Sequence, residues 1–411
     1  MTIGIPIYSE SPANLSERLT SFRFSYEKLA QEHLINTRTI RLTLPPPGLD
    51  HNLSPDGLRS MLDVVQKLAN DVGARWYCLP VDLFSENARD SFLSELQSFI
   101  SRDSQLFVNL IAATENEISM SGAQSASKFI LNLARRSSNG IDNFRVGISA
   151  ACPAGTPFFP FARHHGDSVS FSIAMETTSL ALKIAEHARR ENWPLSIFQA
   201  KLINTLCTTM LQVDRFGNQL AEECQIDYAG LDASFAPFPD GFTSVAKVIE
   251  LMGPTPIGSY GTVFMTSVLT DAIKEAARLA GIKTIGFNGV MFSVLEDNGL
   301  TDANNFRALT IDKLALYSTV CGCGIDMVPV SSTVFHEDLS SLILDVASLA
   351  VRLKKPLGVR LLPIPNKLAN EYTQLNLDFL CDSRVMDTGI SASKILLSDD
   401  VWRYNKDREI I

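Results

Sequence analysis

Apolar and β-branched residues gather in eight short runs: RTIRLTL (38–44), RWYCLPV (75–81), QLFVNLIA (105–112), FRVGISA (144–150), YAGLDASF (228–235), TIGFNGVMF (284–292), GIDMVPV (324–330) and LGVRLLPI (357–364). Most are continuously apolar rather than alternating, which is the pattern of parallel strands covered on both faces. Between them apolar positions recur at helical spacing over 55–70, 91–101, 121–136, 259–280, 304–320 and 339–354. Ser54 followed by Pro55 is a cap with proline at the first helical position, and Asp302 precedes an Asn-rich first turn. Segment 176–224 reads as two helices broken around Asn192-Trp193-Pro194. Its positions Ile197, Phe198, Leu202, Ile203, Leu206, Met210 and Leu211 share one wide apolar face, which makes it a helical insertion or a candidate homodimer surface.

The Pro/Gly-rich stretches 235–241 and 253–261 are loops within the fold, because strand and helix patterns resume immediately around them. The reading is therefore one α/β domain over 1–411, with 366–411 as a C-terminal extension. Strand followed by helix, many times over, favours a barrel or a doubly wound sheet with helices outside.

Composition narrows the functional classes. With 20% charged residues and 45% in the apolar set, the 411-residue chain is neither disordered nor fibrous. The balance of 36 Lys+Arg against 45 Asp+Glu, net −9, disfavours nucleic acid or an anionic membrane as a partner. Seven cysteines, an odd number without a C-x-x-C, suit a reducing cytoplasmic setting, and no apolar run is long enough to span a bilayer. Neither a GxGxxG nor a GxxxxGK[ST] motif occurs, so no nucleotide cofactor is expected.

In parallel α/β folds chemistry collects where strands end. Cys152 follows the run ending at 150, with Arg163, His164 and His165 close behind, so an imidazolium beside a thiol is one reading; a small buried filler is the other. Cys321 and Cys323 precede the strand that carries Asp326, where flanking glycines serve the turn, and Cys321 is a candidate acid/base thiol. Glu176, Asp232, Glu296, Asp297 and Asp326 lie in or near inner strands, and carboxylates converging on one mouth require a cation, an Arg or shared protons. The oxygen-rich set suits Mg²⁺, Mn²⁺ or Ca²⁺ rather than Zn²⁺. Against this, Glu176 caps a helix and Glu296-Asp297 forms a solvated turn. Ser259, Tyr260, Gly261 and Thr262 open a helix whose free N–H groups would hold an anion, or else serve close packing. Asn288, polar in an apolar run, meets a ligand or is tied to backbone.

Seven ordered stretches, ACPAGTPFFPFARHH, FSIAMETTS, GLDASFAPFPDGFTSVAKVIELMG, IGSYGT with VLTDAI, GFNGVMFSVLEDNGL, VCGCGIDMVPV and GVRLLPIPNK, resemble the successive motifs of the UPF0210 (DUF711) family over about residues 140–367. The resemblance implies the pyruvate formate-lyase-like fold, a single barrel of about ten βα strands, in an intracellular protein. It also singles out His164, after PFFP, and Cys321, whereas Cys323 is an addition of this chain. Glycyl-radical relatives carry R-V-x-G-[YF]; here Arg384-Val385-Met386-Asp387-Thr388-Gly389 places the glycine two positions late, so no glycyl radical is expected.

The expectation is an enzyme acting on a small polar metabolite by acid/base chemistry, of lyase, isomerase or cyclase type. Cys152, His164, Asp232, Cys321 and Asp326 would be catalytic. Arg163, Ser259, Tyr260, Gly261, Thr262 and Asn288 would bind substrate. The five carboxylates would hold a divalent metal if one is used. The alternative is a non-catalytic ligand-binding or regulatory protein, and strongly perturbed carboxylate or thiol pKa values would separate the two.

Overall fold

Seven of the eight apolar runs become strands, and the helical spacing between them becomes helices that cover the sheet. The structure, a computed structural model, describes residues 1–48, 54–85, 90–389 and 401–404. The strands are β1 Thr2–Gly4, β2 Arg41–Thr43, β3 Trp76–Asp82, β4 Leu106–Ala113, β5 Glu117–Ser119, β6 Val146–Ala150, β7 Ser170–Ala174, β8 Asp227–Asp232, β9 Gly324–Ser331, β10 Leu357–Ile364 and β11 Val401–Arg403. The α-helices are α1 Pro12–Glu32, α2 Pro55–Val72, α3 Asp90–Arg102, α4 Met120–Ala134, α5 Thr178–Arg190, α6 Leu195–Cys224, α7 Val245–Leu251, α8 Thr262–Ala280, α9 Asn298–Asn305, α10 Ile311–Tyr317 and α11 His336–Leu353. Cap chemistry sets several boundaries. The Gly57 amide donates to Ser54 Oγ at 3.2 Å to start α2, and Gly73, in the left-handed region at φ 72°, ends it.

The main sheet runs β8-β7-β1-β2-β3-β4-β6-β10-β9, with β5 and β11 as a side ribbon. Strands β1, β2, β3, β4 and β6 are mutually parallel. The parallel pairs β7–β8 and β9–β10 flank this block and meet it antiparallel, at Ile3↔Phe171 and at Ser149↔Gly358. The sheet is thus large, mostly parallel and divided into opposed blocks. The C-terminal ends of one block lie level with the N-terminal ends of the other, so no single mouth collects all strand ends.

The hydrogen-bonded ladder is open between β8 and β9. The expected strand 284–292 lies there, where its only ladder pairing among the described residues is the isolated bridges Leu231↔Thr284 and Phe235↔Val290, with Ser293↔Asp326 just beyond. Gly286 and Asn288 have φ of 86° and 47°, which a pleated strand cannot accommodate, so the run fails to form a continuous strand despite its apolar composition. Helix 304–320 is likewise replaced by α9 and α10, with Arg307 at φ 59° in the break. The sequence pattern missed β1, α1 and β7; the two strands are only 3 and 5 residues long, too short to register as runs.

Helices α5 and α6 are the crossover that parallel pairing of β7 with β8 requires, rather than an insertion. The break before Pro194 is as expected, and Phe198, Leu202, Leu206 and Met210 are fully buried, α6 lying against α1 and α8. Those four positions are thus covered by the chain's own helices, while Ile203 and Leu211 are half-buried and Ile197 is exposed. Residues 366–389 return over the sheet: the Cys381 amide donates to Leu295 O at 2.7 Å, and Leu375, Leu380 and Val385 pack with Leu295, Met327 and Leu362.

Candidate functional site

After β6 the chain turns inward and crosses beneath β1 to β4. Thr2 Oγ1 donates to Pro157 O at 2.7 Å, Asn109 Nδ2 to Ala162 O at 3.3 Å, and the His164 amide to Leu44 O at 2.8 Å. Phe158, Phe159 and Phe161 of this loop enter a cavity of about 740 Å³, in the size range of small-molecule sites. Its rim comes from the N-terminal ends of β2 to β4 and from residues that follow β7 and β8, the level at which the opposed blocks meet. Phe107 stands in the aromatic wall, with ring centroids 5.2 Å from Trp76, 5.3 Å from Phe159 and 5.9 Å from Phe144. Leu377 and Phe379 of the returning C-terminal segment cover part of the opening.

The charged groups are ordered. On β10 the buried Arg360 sends Nε to Asp326 Oδ1 at 2.5 Å and Nη2 to Asp326 Oδ2 at 3.0 Å, and Nη2 also pairs with Glu296. Ser293 Oγ donates to the same Glu296 carboxyl. Burial pushes the Glu296 carboxyl above its usual range, opposed by Arg360 and reinforced by Asp326. Burial works against the Arg360 charge, but the two carboxylates outweigh it and hold its pKa above the ordinary value. On another part of the wall the half-buried Arg41 lies 5.3 and 5.2 Å from the ring centroids of Trp76 and Phe159, and desolvation lowers its pKa to about 10. Arg38 covers the Phe238 ring at 3.8 Å and pairs with Glu176 at 2.9 Å.

Of the residues singled out in the sequence, Glu176, Glu296 and Asp326 line this cavity. Cys152 is buried in its floor with Phe161, Phe287, Met291 and Cys323, its Sγ 3.4 Å from Leu357 O, and desolvation pushes its thiol up to about 12. The imidazolium-activated thiolate is therefore not what the geometry offers: His164 lies instead against Gly4 and Ser170, its pKa lowered to about 4 by burial. Arg163 Nε is tied to Cys152 O at 3.3 Å.

Asp232 is a fully buried structural carboxylate. It accepts from Ser234 N (3.0 Å) and Oγ (2.6 Å), Phe287 N (2.7 Å) and Asn288 N (3.1 Å), stitching β8 to 284–293; desolvation still raises it to about 6. Asn288 takes the backbone reading, accepting from Ala233 N at 3.1 Å and donating to Ile285 O at 3.0 Å. Asp297 caps α9 and the start of α7, accepting from Gly299 N at 2.9 Å and Val245 N at 2.7 Å.

Ser259, Tyr260, Gly261 and Thr262 do not line the cavity; Tyr260 is fully exposed and Thr262 Oγ1 closes the turn on Gly258 N at 3.1 Å. Cys321 is buried in the main core, and of the pair only Cys323 lines the cavity. A hydrogen bond from Cys323, aided by Lys355, lowers the Cys321 pKa and raises that of Cys323. Of the five carboxylates expected to share a divalent metal, three line the cavity and are paired with arginines, Glu296 and Asp326 with Arg360 and Glu176 with Arg38, while Asp232 and Asp297 are satisfied by backbone N–H and hydroxyl donors. Among the described residues no group of three or more His, Cys, Asp or Glu is placed to hold a metal ion.

Arg360 and Arg41 were missed. Arg360 interrupts the otherwise apolar run LGVRLLPI, as Asp326 does in GIDMVPV, and a charge in such a run was the available signal; Arg41 stands in RTIRLTL, where polar residues already alternate with apolar ones and no such signal exists.

Together these features define a mixed α/β protein with an aromatic-walled, charge-lined cavity at one level of a large, mostly parallel sheet. The chain belongs to the family described as Uncharacterised ACR (DUF711), which matches residues 12–376. It is similar to a UPF0210 protein of Pyrobaculum aerophilum, 27% identical over 374 residues, covering 88% of this chain and 81% of the relative. UPF0210 proteins of Methanocaldococcus jannaschii and Carboxydothermus hydrogenoformans are each 27% identical over 64% of this chain, which spans 57% and 59% of their lengths. No helix among the described residues is long and apolar enough to cross a membrane.

Proposed function

We propose that the chain is an enzyme that moves a proton on a small polar molecule held in this cavity, with Glu296 as the group that gives and takes the proton. The observation that carries the reading is the Glu296–Arg360–Asp326 cluster. One guanidinium is held between two carboxylates that both line the cavity, and that of Glu296 has its pKa raised by burial. A carboxyl displaced toward working pH is suited to general acid/base transfer, while Asp326 and Ser293 fix the partners that orient it. Such chemistry serves a lyase, isomerase or cyclase. We also read 284–293, bridged on both sides, as the tenth stave of a barrel, and the seven free thiols as fitting the cytoplasm.

The test is turnover and ionisation together. Small-molecule extracts incubated with wild type and Glu296→Gln are compared by mass spectrometry, and difference infrared spectroscopy follows the carboxyl stretch with pH. Wild type should consume a compound that Glu296→Gln leaves intact, and a carboxyl titrating above the usual range should vanish in the variant. Equal consumption by both proteins, or a Glu296 carboxyl titrating like an exposed glutamate, would refute the role.

A further inference from the structure

Two of the cavity's five arginines, the half-buried Arg41 and the exposed Arg75, have no carboxylate partner among the described residues. Among its arginines, Arg360 is held by Asp326 and Glu296, Arg145 by Asp142 at 2.5 Å and Arg38 by Glu176 at 2.9 Å. Among the described residues no carboxylate lies within ion-pair distance of Arg41, whose Nε donates to Thr39 Oγ1 at 3.2 Å. Its guanidinium carbon lies 5.3 and 5.2 Å from the ring centroids of Trp76 and Phe159, and among the described residues its terminal N–H groups have no acceptor. A planar fork beside aromatic rings, with its terminal donors free, is suited to receive a carboxylate through paired hydrogen bonds. Arg75, stacked on Trp76 at 4.4 Å, adds positive charge at the rim.

The rest of the lining limits the ligand further. Five arginines against four carboxylates leave one net positive charge, which a monoanion neutralises and a dianion exceeds. Beyond Arg41 the wall is aromatic, with Phe107 and Phe144 leading from it, and Arg360 lies over Phe144 at 5.5 Å. A flat apolar body stacks there at low cost in conformational freedom.

We propose that the cavity binds a monocarboxylate with a flat or aromatic body, its carboxylate on the Arg41 guanidinium, its body against Phe107 and Phe144, and its far end toward Glu296. This names the substrate class for the activity proposed above and rests on that reading only in placing both events in one cavity. The readout is binding rather than turnover, so it fails or succeeds independently of the role of Glu296.

Phenylacetate serves as the probe, with phenylacetamide and phenyl phosphate for comparison, titrated into the full chain at pH 7 by calorimetry and tryptophan fluorescence. Phenylacetate should bind saturably at one site, with the amide and the phosphate at least about tenfold weaker. Arg41→Met should weaken phenylacetate by about 10- to 100-fold, the range expected when a charged hydrogen-bond partner is lost. Arg41→Lys, which keeps the charge without the fork, should fall between them. Equal affinity for acid and amide, tighter binding of the phosphate, undiminished binding by a folded Arg41→Met, or no saturable binding at millimolar phenylacetate would each overturn the proposal. The acid-to-amide comparison uses wild type alone, so it stands even if Arg41→Met does not fold.

Discussion

Replacing Arg360 by methionine keeps most of the side chain's bulk and removes the charge that two buried carboxylates share. Asp326 is 5% exposed and Arg360 also 5%, and the guanidinium makes a bidentate contact with Asp326 besides its contact with Glu296. Breaking a buried pair by removing one partner costs about 3–5 kcal/mol, because the remaining charge stays out of water uncompensated. Here two like charges would remain, already close enough for Asp326 to raise Glu296. With an unfolding entropy of about 2.1 cal/mol/K per residue, 411 residues convert that loss into a Tm decrease of about 4–6 °C. The loss must also depend on pH. In the variant the Glu296 carboxyl, already raised by burial and no longer opposed by Arg360, has a folded pKa well above its unfolded one. Its protonated form is favoured in the fold, so the deficit is full at pH 8 and shrinks as the pH falls through that raised value. Urea unfolding followed by tryptophan fluorescence at pH 8, 7, 6 and 5 measures this. A variant within about 1 kcal/mol of wild type at pH 7, or a deficit constant from pH 8 to pH 5, would show that the cluster does not hold the charges as described.

Three further outcomes are expected. Asp232→Asn should lose about 1–3 kcal/mol at pH 7, since whichever way the amide is turned its NH₂ faces a backbone N–H that the carboxylate accepted; hydrogen exchange at 285–289 should rise, and unchanged protection there would contradict the stitching role. The folded pKa of His164 is lowered to about 4, so its contribution is present above about pH 6.5 and lost as the pH falls through about 4; His164→Leu should flatten that acid limb of the stability curve, and an unaltered limb would count against it. Phe198→Ala, in the face of α6 buried against its neighbours, should cost about 3–5 kcal/mol in urea unfolding, whereas a loss under about 1 kcal/mol would mean that the face is not a packed core.

Features that depend on near neighbours and on local burial could be read from the order of residues along the chain. Continuous apolar runs such as LGVRLLPI specified strands covered on both faces, Ser54-Pro55 specified where α2 begins, and Pro194 specified where α5 gives way to α6. Seven ordered motifs pointed to the right family. Three of the cavity's carboxylates, Glu176, Glu296 and Asp326, were legible because charge near an apolar strand is costly without a partner. Tertiary structure alone decided the partners. Asp232 and Asp326 look alike in GLDASF and GIDMVPV, yet one is consumed by backbone N–H groups of a segment 55 residues away and the other by Arg360 on the neighbouring strand. It also decided direction. Two antiparallel junctions, at β1–β7 and β6–β10, place the end of β6, with Cys152, at a different level from the ends of β7 and β8. Strand polarity depends on which strands pair across the chain, and hydrophobic periodicity is the same for either direction.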